Sequence, residues 1–261
     1  MDSIWSPASG QFSLLAGRPG SYKTATSWTI GCNLALQGKR ILWANLEPSM
    51  AQMLEAFIAR KARIPRKMLG PHGQALDVEQ LARLTVAMEE FKRLPMIFHF
   101  LDNDVHSLIA RARKVKYDCL FVDYLQLLNA KGTRTPPERI EAVSHALRDY
   151  AHNDNVMVVA LVQMNRAMER EGEDERLPRL SDLAGSAALE ADADIVTFLF
   201  DVKRRGDWSN LTAYVGKNRY GPADVFVPLM ANGAMCDVHE VEESVPVDRN
   251  EHENMERERY P

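Results

Sequence analysis

The sequence predicts an α/β fold in which a mainly parallel central sheet is flanked by helices. Three observations lead to this prediction. Short apolar runs alternate with amphipathic helical patterns along residues 12–230, which is typical of parallel strands joined by helices. A glycine-rich octet follows the first run and opens a helical pattern. The last two runs are separated by a short turn, which predicts an antiparallel edge hairpin near the C-terminus.

The predicted strands are continuous apolar runs, as expected of strands that are buried on both faces of a sheet. They cover residues 12–16, 41–46, 96–101, 119–122, 156–162, 194–200, 211–215 and 225–230. The predicted helices cover residues 25–37, 49–63, 78–94, 105–114 and 137–152. This single alternation indicates one domain.

Charge is unevenly distributed along the chain. The 261 residues carry a net charge of −4, but residues 239–261 contain eight acidic and three basic residues, so the remainder is nearly neutral. A nearly neutral body neither requires nor excludes a nucleic-acid partner, because a local basic lining suffices to bind phosphates. We therefore expect one domain over residues 1–238 and an acidic, disordered tail over residues 239–261.

The chain shows no pattern typical of export or membrane insertion. It contains no run of about 18 apolar residues, and no basic patch followed by an apolar run lies near its start. Cys32, Cys119 and Cys236 are far apart and lack the C-x-x-C spacing of many metal sites. These observations predict buried, reduced thiols, a cytoplasmic location and no membrane partner.

The glycine-rich octet fits a phosphate-binding loop, or P-loop. It lies between a predicted strand and a predicted helix, where backbone N–H groups and the helix N-terminus attract phosphates. Lys23 would contact the β- and γ-phosphates, and the Thr24 hydroxyl would bind Mg²⁺. A surface turn of similar composition is the alternative. The predicted nucleotide contacts are Gly17, Arg18, Pro19, Gly20, Ser21, Tyr22, Lys23 and Thr24.

Tyr22 stands where the usual P-loop pattern has glycine. If this position requires a positive φ, tyrosine costs roughly 1–2 kcal/mol there. The added side chain is also expected to crowd the nucleotide. From the sequence, replacing Tyr22 by glycine should therefore leave the affinity for ATP equal or better.

Three further predicted strands end in polar side chains that suit phosphate chemistry. Glu47 could orient the water that attacks the γ-phosphate, and a helix-capping role is the alternative. Asp123 closes a run of four apolar residues, which is the Walker B position for a carboxylate that holds Mg²⁺. Gln163 could detect the γ-phosphate through a neutral hydrogen bond. Because ligands bind at the carboxyl ends of parallel strands, these residues predict a site for ATP and Mg²⁺.

Several groups of basic residues have two interpretations each. Lys217 and Arg219 lie between the last two predicted strands, where they form either a solvated turn or an arginine finger for a neighbouring subunit's nucleotide. Residues 203–205 follow a predicted strand and are a candidate nucleic-acid contact. Residues 60–67 hold a second basic cluster that could bind nucleic acid, although a solvated helix end is the favoured interpretation.

In this order and spacing, the segments resemble the motor domain of DnaB-family replicative helicases. The resemblance covers roughly residues 12–230, and its Asp-Tyr-Leu-Gln-Leu segment is more specific than the P-loop. The matching segments are Glu47, Asp123–Leu127, Gln163–Arg166, Ser181–Leu183 with Asp192–Asp194, and Lys217–Gly221.

The resemblance implies a RecA-like P-loop ATPase and a role for each matching residue. Glu47 would be the catalytic base and Gln163 the sensor, while Lys217 and Arg219 would act across a subunit boundary. It also implies a hexamer that moves along single-stranded DNA in replication, with replication proteins as possible partners. A RecA-like ATPase that does not translocate, and acts as a regulator or assembly partner, is the alternative.

Overall fold

The fold is that of a computed structural model, which describes residues 7–46, 49–70, 73–99, 103–164, 177–183 and 185–241. Within these ranges, nine strands form one sheet and six α-helices accompany it. The strands are β1 (Phe12–Gly17), β2 (Ile41–Asn45), β3 (Met96–His99), β4 (Cys119–Asp123), β5 (Met157–Gln163), β6 (Ile195–Arg205), β7 (Trp208–Asn218), β8 (Val225–Asn232) and β9 (Asp237–Glu240). The helices are α1 (Lys23–Leu36), α2 (Met50–Ala62), α3 (Val78–Arg93), α4 (Val105–Val115), α5 (Pro136–Asp154) and α6 (Ser186–Asp192).

The strand order in the sheet is β3-β2-β4-β5-β1-β6-β7-β8-β9. The first six strands in this order run parallel, and β7, β8 and β9 continue the sheet in antiparallel fashion. The predicted parallel sheet and its antiparallel edge hairpin are both confirmed. Because β1 lies between β5 and β6, the P-loop that follows it leaves the middle of the sheet.

The structure extends the antiparallel part beyond the sequence prediction. Strand β6 continues to Arg205, five residues past its predicted end at Phe200, and pairs with β7. These added residues are mostly polar, so an apolar pattern could not reveal them. Strand β9 was also missed, since it is only four residues long and half exposed.

Apolar side chains fill the space on both faces of the sheet. On one face, α4 and α5 pack against the sheet through residues such as Leu108 and Leu147. On the other, α1 and α2 cover an aromatic cluster in which Trp43 stacks on Phe121 with ring centroids 4.6 Å apart. Burial of β1 from both sides fixes the strand that leads into the P-loop.

The helix boundaries agree with the prediction within about two residues because side chains cap the helices. Ser49 and Asp77 each accept a hydrogen bond from the backbone N–H of a glutamine three residues later, and that glutamine's side chain accepts one in return. Thr135 caps α5 in a similar way. The short helix α6 was not predicted, because its seven residues give too few turns for a periodic pattern.

Strand β9 crosses the predicted domain boundary at residue 238, since it extends to Glu240 and pairs with β8. Residues 242–261 lie outside the described residues, so the disordered tail stays a prediction. Cys32, Cys119 and Cys236 are buried free thiols, as predicted. In the described parts of the chain, no helix has the length and apolar character needed to cross a membrane.

Candidate nucleotide site

The loop between β1 and α1 has the tight geometry of a phosphate-binding loop. Strand β1 ends at Gly17, and the helix begins at Lys23. A Cβ atom on Gly17 would lie 2.3 Å from the Ser21 hydroxyl and 2.9 Å from the Leu199 carbonyl oxygen, so no other residue fits there without movement. Glycine at this position therefore lets the loop turn tightly against β6.

Lys23 places its ammonium group on the loop itself. The Nζ atom donates hydrogen bonds to the carbonyl oxygens of Gly17, at 2.9 Å, and Arg18, at 2.7 Å. The side chain thus folds back over the loop at the helix N-terminus, where the dipole also favours an anion. A phosphate in the loop would lie within reach of this cation.

Tyr22 adopts the left-handed conformation that a glycine normally provides, with a φ of 62°. The sequence-based suspicion that this position needs a positive φ is correct. The hydroxyl of Tyr22 forms a hydrogen bond of 2.8 Å with the Ser209 hydroxyl on β7. Its ring also packs against Gly233, in the turn between β8 and β9. A Cβ atom placed on Gly233 would lie 3.3 Å from the ring. The side chain is therefore anchored to the antiparallel edge of the sheet.

The ends of three neighbouring strands converge on the P-loop. Gly17 pairs with Gln163 across β1 and β5, and Asp123 ends β4, the next strand along. Asp123 is only 3% exposed. The resulting cleft has a volume of about 580 Å³, and Arg18 lines an adjoining cleft. Predicted residues that line the larger cleft are Pro19, Gly20, Ser21, Tyr22, Lys23, Thr24, Asp123 and Gln163.

The oxygen atoms of Thr24 and Asp123 suit a magnesium ion. Both residues line the same cleft, and hydroxyl and carboxylate oxygens are the donors that Mg²⁺ prefers. A carboxylate buried at a strand end also gains from a nearby cation, because burial makes a negative charge costly. The residues present thus fit the implied metal.

Gln126 contributes to this site in a way that the sequence did not reveal. Its side-chain amide donates to the Gln163 carbonyl at 3.0 Å and accepts from the Gln163 N–H at 3.3 Å. The segment after Asp123 is thereby fastened to the end of β5. The one feature of the sequence that could have indicated a role for Gln126 is its amide side chain between two leucines in the Asp-Tyr-Leu-Gln-Leu segment.

Glu47, the predicted catalytic base, lies outside the described residues. The residue before it, Leu46, donates its backbone N–H to the Asp123 carbonyl at 3.1 Å. Asn165 and Arg166, which belong to the predicted Gln163–Arg166 segment, also lie outside the described residues.

Lys217 and Arg219 lie at the other end of the sheet. Lys217 pairs with Val196 on β6, and Val196 pairs with Leu14 on β1. Leu14 precedes Gly17 by three residues, or about 10 Å along the strand. Neither cation is among the described residues that line the cleft.

Both cations contact the C-terminal end of α6. Lys217 donates to the Glu190 carbonyl at 2.5 Å, and Arg219 donates to the Ala191 carbonyl at 2.6 Å. Arg219 also forms a 3.2 Å ion pair with Asp194. Burial lowers the pKa of Lys217, and the nearby charge of Arg219 lowers it further. Both side chains are therefore held by contacts within the chain, although Arg219 is still exposed to solvent.

The acidic residues of the predicted Asp192–Asp194 segment hold the fold together. Asp194 is fully buried and accepts hydrogen bonds from the Phe12 N–H at 2.8 Å and from Arg219, and it pairs with His152 at 2.9 Å. Asp192 binds Arg148 at 2.6 Å. These carboxylates join α5, the start of β1 and the Arg219 side chain.

The two basic clusters have different surroundings. Arg60 and Arg63, near the end of α2, both pair with Asp237, so they are held within the chain at the helix end, Arg63 being exposed to solvent and Arg60 largely covered. Arg204 lines the cleft beside the P-loop, and Lys203 pairs with Asp201 at 3.2 Å. Within this candidate contact, Arg204 thus faces the nucleotide site, whereas Lys203 is not among the described residues that line it.

Comparisons with known proteins place the chain among helicase motor domains. A family model described as "DnaB-like helicase C terminal domain" matches residues 4–237. A "Probable plasmid replicative DNA helicase" of Chlamydia trachomatis is 32% identical over 222 residues, covering 82% of this chain and 47% of the relative. "Replicative DNA helicase DnaB" of Haemophilus influenzae is 30% identical over 225 residues, covering 80% of this chain and 47% of that protein. The chain spans about half the length of these relatives.

A solved structure described as an "ATPase Domain" resembles this fold with a TM-score of 0.82 and 25% sequence identity. The match covers 90% of this chain and 86% of that one. The similarity therefore extends over most of the chain, and it agrees with the RecA-like fold that the motifs imply.

Proposed function

Because this chain belongs to the family of DnaB-like helicase C-terminal domains, we propose that it is an ATP-driven motor that moves along single-stranded DNA in replication. The observation that carries the proposal is the separation of two sets of residues. Lys23, Asp123 and Gln163 line one cleft, while Lys217 and Arg219 lie at the opposite end of the same sheet. Such a chain carries two halves of a site that a neighbouring copy would complete.

The first half binds and orients the nucleotide. Lys23 and the loop N–H groups hold the phosphates, and Thr24 and Asp123 hold the magnesium ion. When bound, Mg²⁺ supplies positive charge that stabilises the transferring phosphoryl group. Glu47 orients the attacking water and accepts its proton, as the family resemblance implies. Gln163 detects the γ-phosphate.

The second half acts on the nucleotide of a neighbouring subunit. Lys217 and Arg219 are held by their own chain on α6 and Asp194, away from its own cleft. An arginine that reaches the phosphates of a neighbour stabilises the charge of the transition state. We propose that six copies close a ring as a homohexamer, as the family resemblance implies.

The motor would meet its partners in the cytoplasm. The three buried, free cysteines suit a reducing compartment. Single-stranded DNA is the proposed track, and other replication proteins are the proposed partners. Hydrolysis at each subunit interface would move the DNA-contacting loops of the ring.

A DNA-dependent ATPase assay tests this proposal. The purified chain should hydrolyse ATP faster when single-stranded DNA is added. The Glu47→Gln variant should no longer hydrolyse ATP but should still bind it. Mass photometry with ATP should show a ring. A monomer whose ATPase rate ignores DNA would support the alternative, an ATPase that regulates or assembles other proteins.

A further inference from the structure

Arg204 is placed directly over the P-loop of its own chain. It is exposed near the end of β6 and lines the nucleotide cleft. It also lines a second cleft, of about 380 Å³, which shares Gly20 with the first. One guanidinium nitrogen lies 3.7 Å from the place of a Cβ on Gly20. Within the described part of the chain, the Arg204 side chain has no hydrogen bond or ion pair.

Tyr22 and Ser209 connect this arginine to the loop. Ser209 pairs with Arg204 across β6 and β7. The Ser209 hydroxyl is in turn hydrogen-bonded to the Tyr22 hydroxyl at 2.8 Å. Tyr22 therefore joins the P-loop to the part of the sheet that carries Arg204. A glycine at residue 22 could not make this connection.

We infer that Arg204 binds the phosphates of the nucleotide in its own chain, and that Tyr22, through Ser209, positions it. The inference rests on the proposed ATPase function but goes beyond it, since Lys217 and Arg219 are assigned to a neighbour's nucleotide. It also gives a reason for the unusual residue at position 22. The strain of a tyrosine in the left-handed region is offset by the contact that it makes with β7.

The phosphates are the expected partner because of charge and position. Gly20 lies inside the octet whose N–H groups face the phosphates, and it has a φ of 78°. An arginine above this residue can donate hydrogen bonds to phosphate oxygens, which are among the strongest that arginine makes. The adjacent Lys203 is paired with Asp201 instead, so it provides a matched control.

The test of Arg204 is nucleotide affinity measured by titration with fluorescent ATP, GTP and CTP analogues. Arg204→Gln should raise the Kd by about tenfold or more. The rise should be the same for all three bases, because the phosphates are common to them. Lys203→Gln should leave the Kd nearly unchanged. A rise that depends on the base, or an equal rise in Lys203→Gln, would overturn the inference.

The test of Tyr22 uses two variants that remove the same hydrogen bond. Tyr22→Phe and Ser209→Ala should each raise the Kd by about threefold. In an Arg204→Gln background, neither should have a further effect, whereas a merely structural role would lower affinity additively. Additive losses would contradict the positioning role.

These measurements separate the inference from the proposed function. If the wild-type chain binds no nucleotide, the proposed ATPase function fails and the inference fails with it. If the wild type binds ATP and Arg204→Gln binds it equally well, only the inference fails. Thermal melting of each variant shows whether it is folded.

Discussion

The two ends of the central sheet use charged side chains in opposite ways. At the carboxyl ends of the parallel strands, Lys23 and Asp123 line an open cleft of about 580 Å³. At the other end, Arg219 and Asp194 pair with each other at 3.2 Å, and Asp194 is fully buried. One end is arranged to receive a ligand, while the other is closed by contacts within the chain.

This difference shows that a cation within a nucleotide-site motif, such as Arg219, can lie far from the nucleotide cleft of its own chain. Arg219 is held by Ala191 and Asp194, so its position is determined by α6 and the start of β6. The same contacts that stabilise the fold place it at a surface where a neighbour's cleft could meet it. The comparison predicts that variants at the two ends have separable effects on binding and hydrolysis.

The largest expected effect is that of Arg219→Ala on hydrolysis. If Arg219 acts as the arginine finger that we propose, kcat for ATP should fall by about 10³. The Kd for ATP should be unchanged, because Arg219 does not line the described part of its own cleft. Steady-state hydrolysis and nucleotide titration measure the two quantities.

The control for this variant is Arg40→Ala, since Arg40 is a paired surface arginine just before β2. It should change neither kcat nor the Kd. A weaker Kd in Arg219→Ala, with hydrolysis preserved, would contradict the separation of the two ends.

A smaller effect is expected when Gln126 is replaced by alanine at the cleft end. Two hydrogen bonds to the Gln163 backbone are lost, which costs about 1–3 kcal/mol and loosens the end of β5. We expect kcat to fall by about tenfold with little change in KM. Gln126→Glu keeps an acceptor but loses the amide donor, so its kcat should lie between those of the wild type and the alanine variant. Unchanged kcat in both variants would show that this connection does not affect the chemistry.

The smallest expected effect concerns the pH dependence of hydrolysis. Burial and Arg219 lower the pKa of Lys217, so this lysine loses its charge at a lower pH than an ordinary lysine does. If the charged form is needed, hydrolysis declines as the pH rises through that pKa. Lys217→Arg keeps its charge and should move this decline to higher pH. A pH–rate profile that is identical in both proteins would argue against a role for the Lys217 charge.

The sequence predicted the nucleotide loop well because its residues are consecutive. A strand, a glycine-rich octet and a helix form a local pattern, and Gly17 to Thr24 lie where this pattern places them. Asp123 and Gln163 could also be placed, since the ends of buried parallel strands lie at one edge of a sheet. The family resemblance then assigned roles to them.

Contacts between distant parts of the chain could not be predicted in this way. The pairing of Arg219 with Asp194 depends on how β6 and β7 meet. The hydrogen bond between Gln126 and Gln163 depends on the position of the neighbouring strand end. The polar end of β6 carries no apolar signal, so the approach of Arg204 to the loop was hidden. The expectation that Tyr22→Gly leaves the affinity for ATP equal or better was likewise made without knowledge of the contact with Ser209, which lies 187 residues away in the sequence.

The central claim is that each active site combines residues from two copies of this chain. It is tested by mixing two inactive variants, Lys23→Ala and Arg219→Ala, and measuring ATP hydrolysis. In the mixture, an intact P-loop of one copy can meet an intact finger of another, so activity should exceed that of either variant alone. If the mixture is as inactive as the separate variants, while wild-type chains assemble and hydrolyse ATP, the shared site is contradicted.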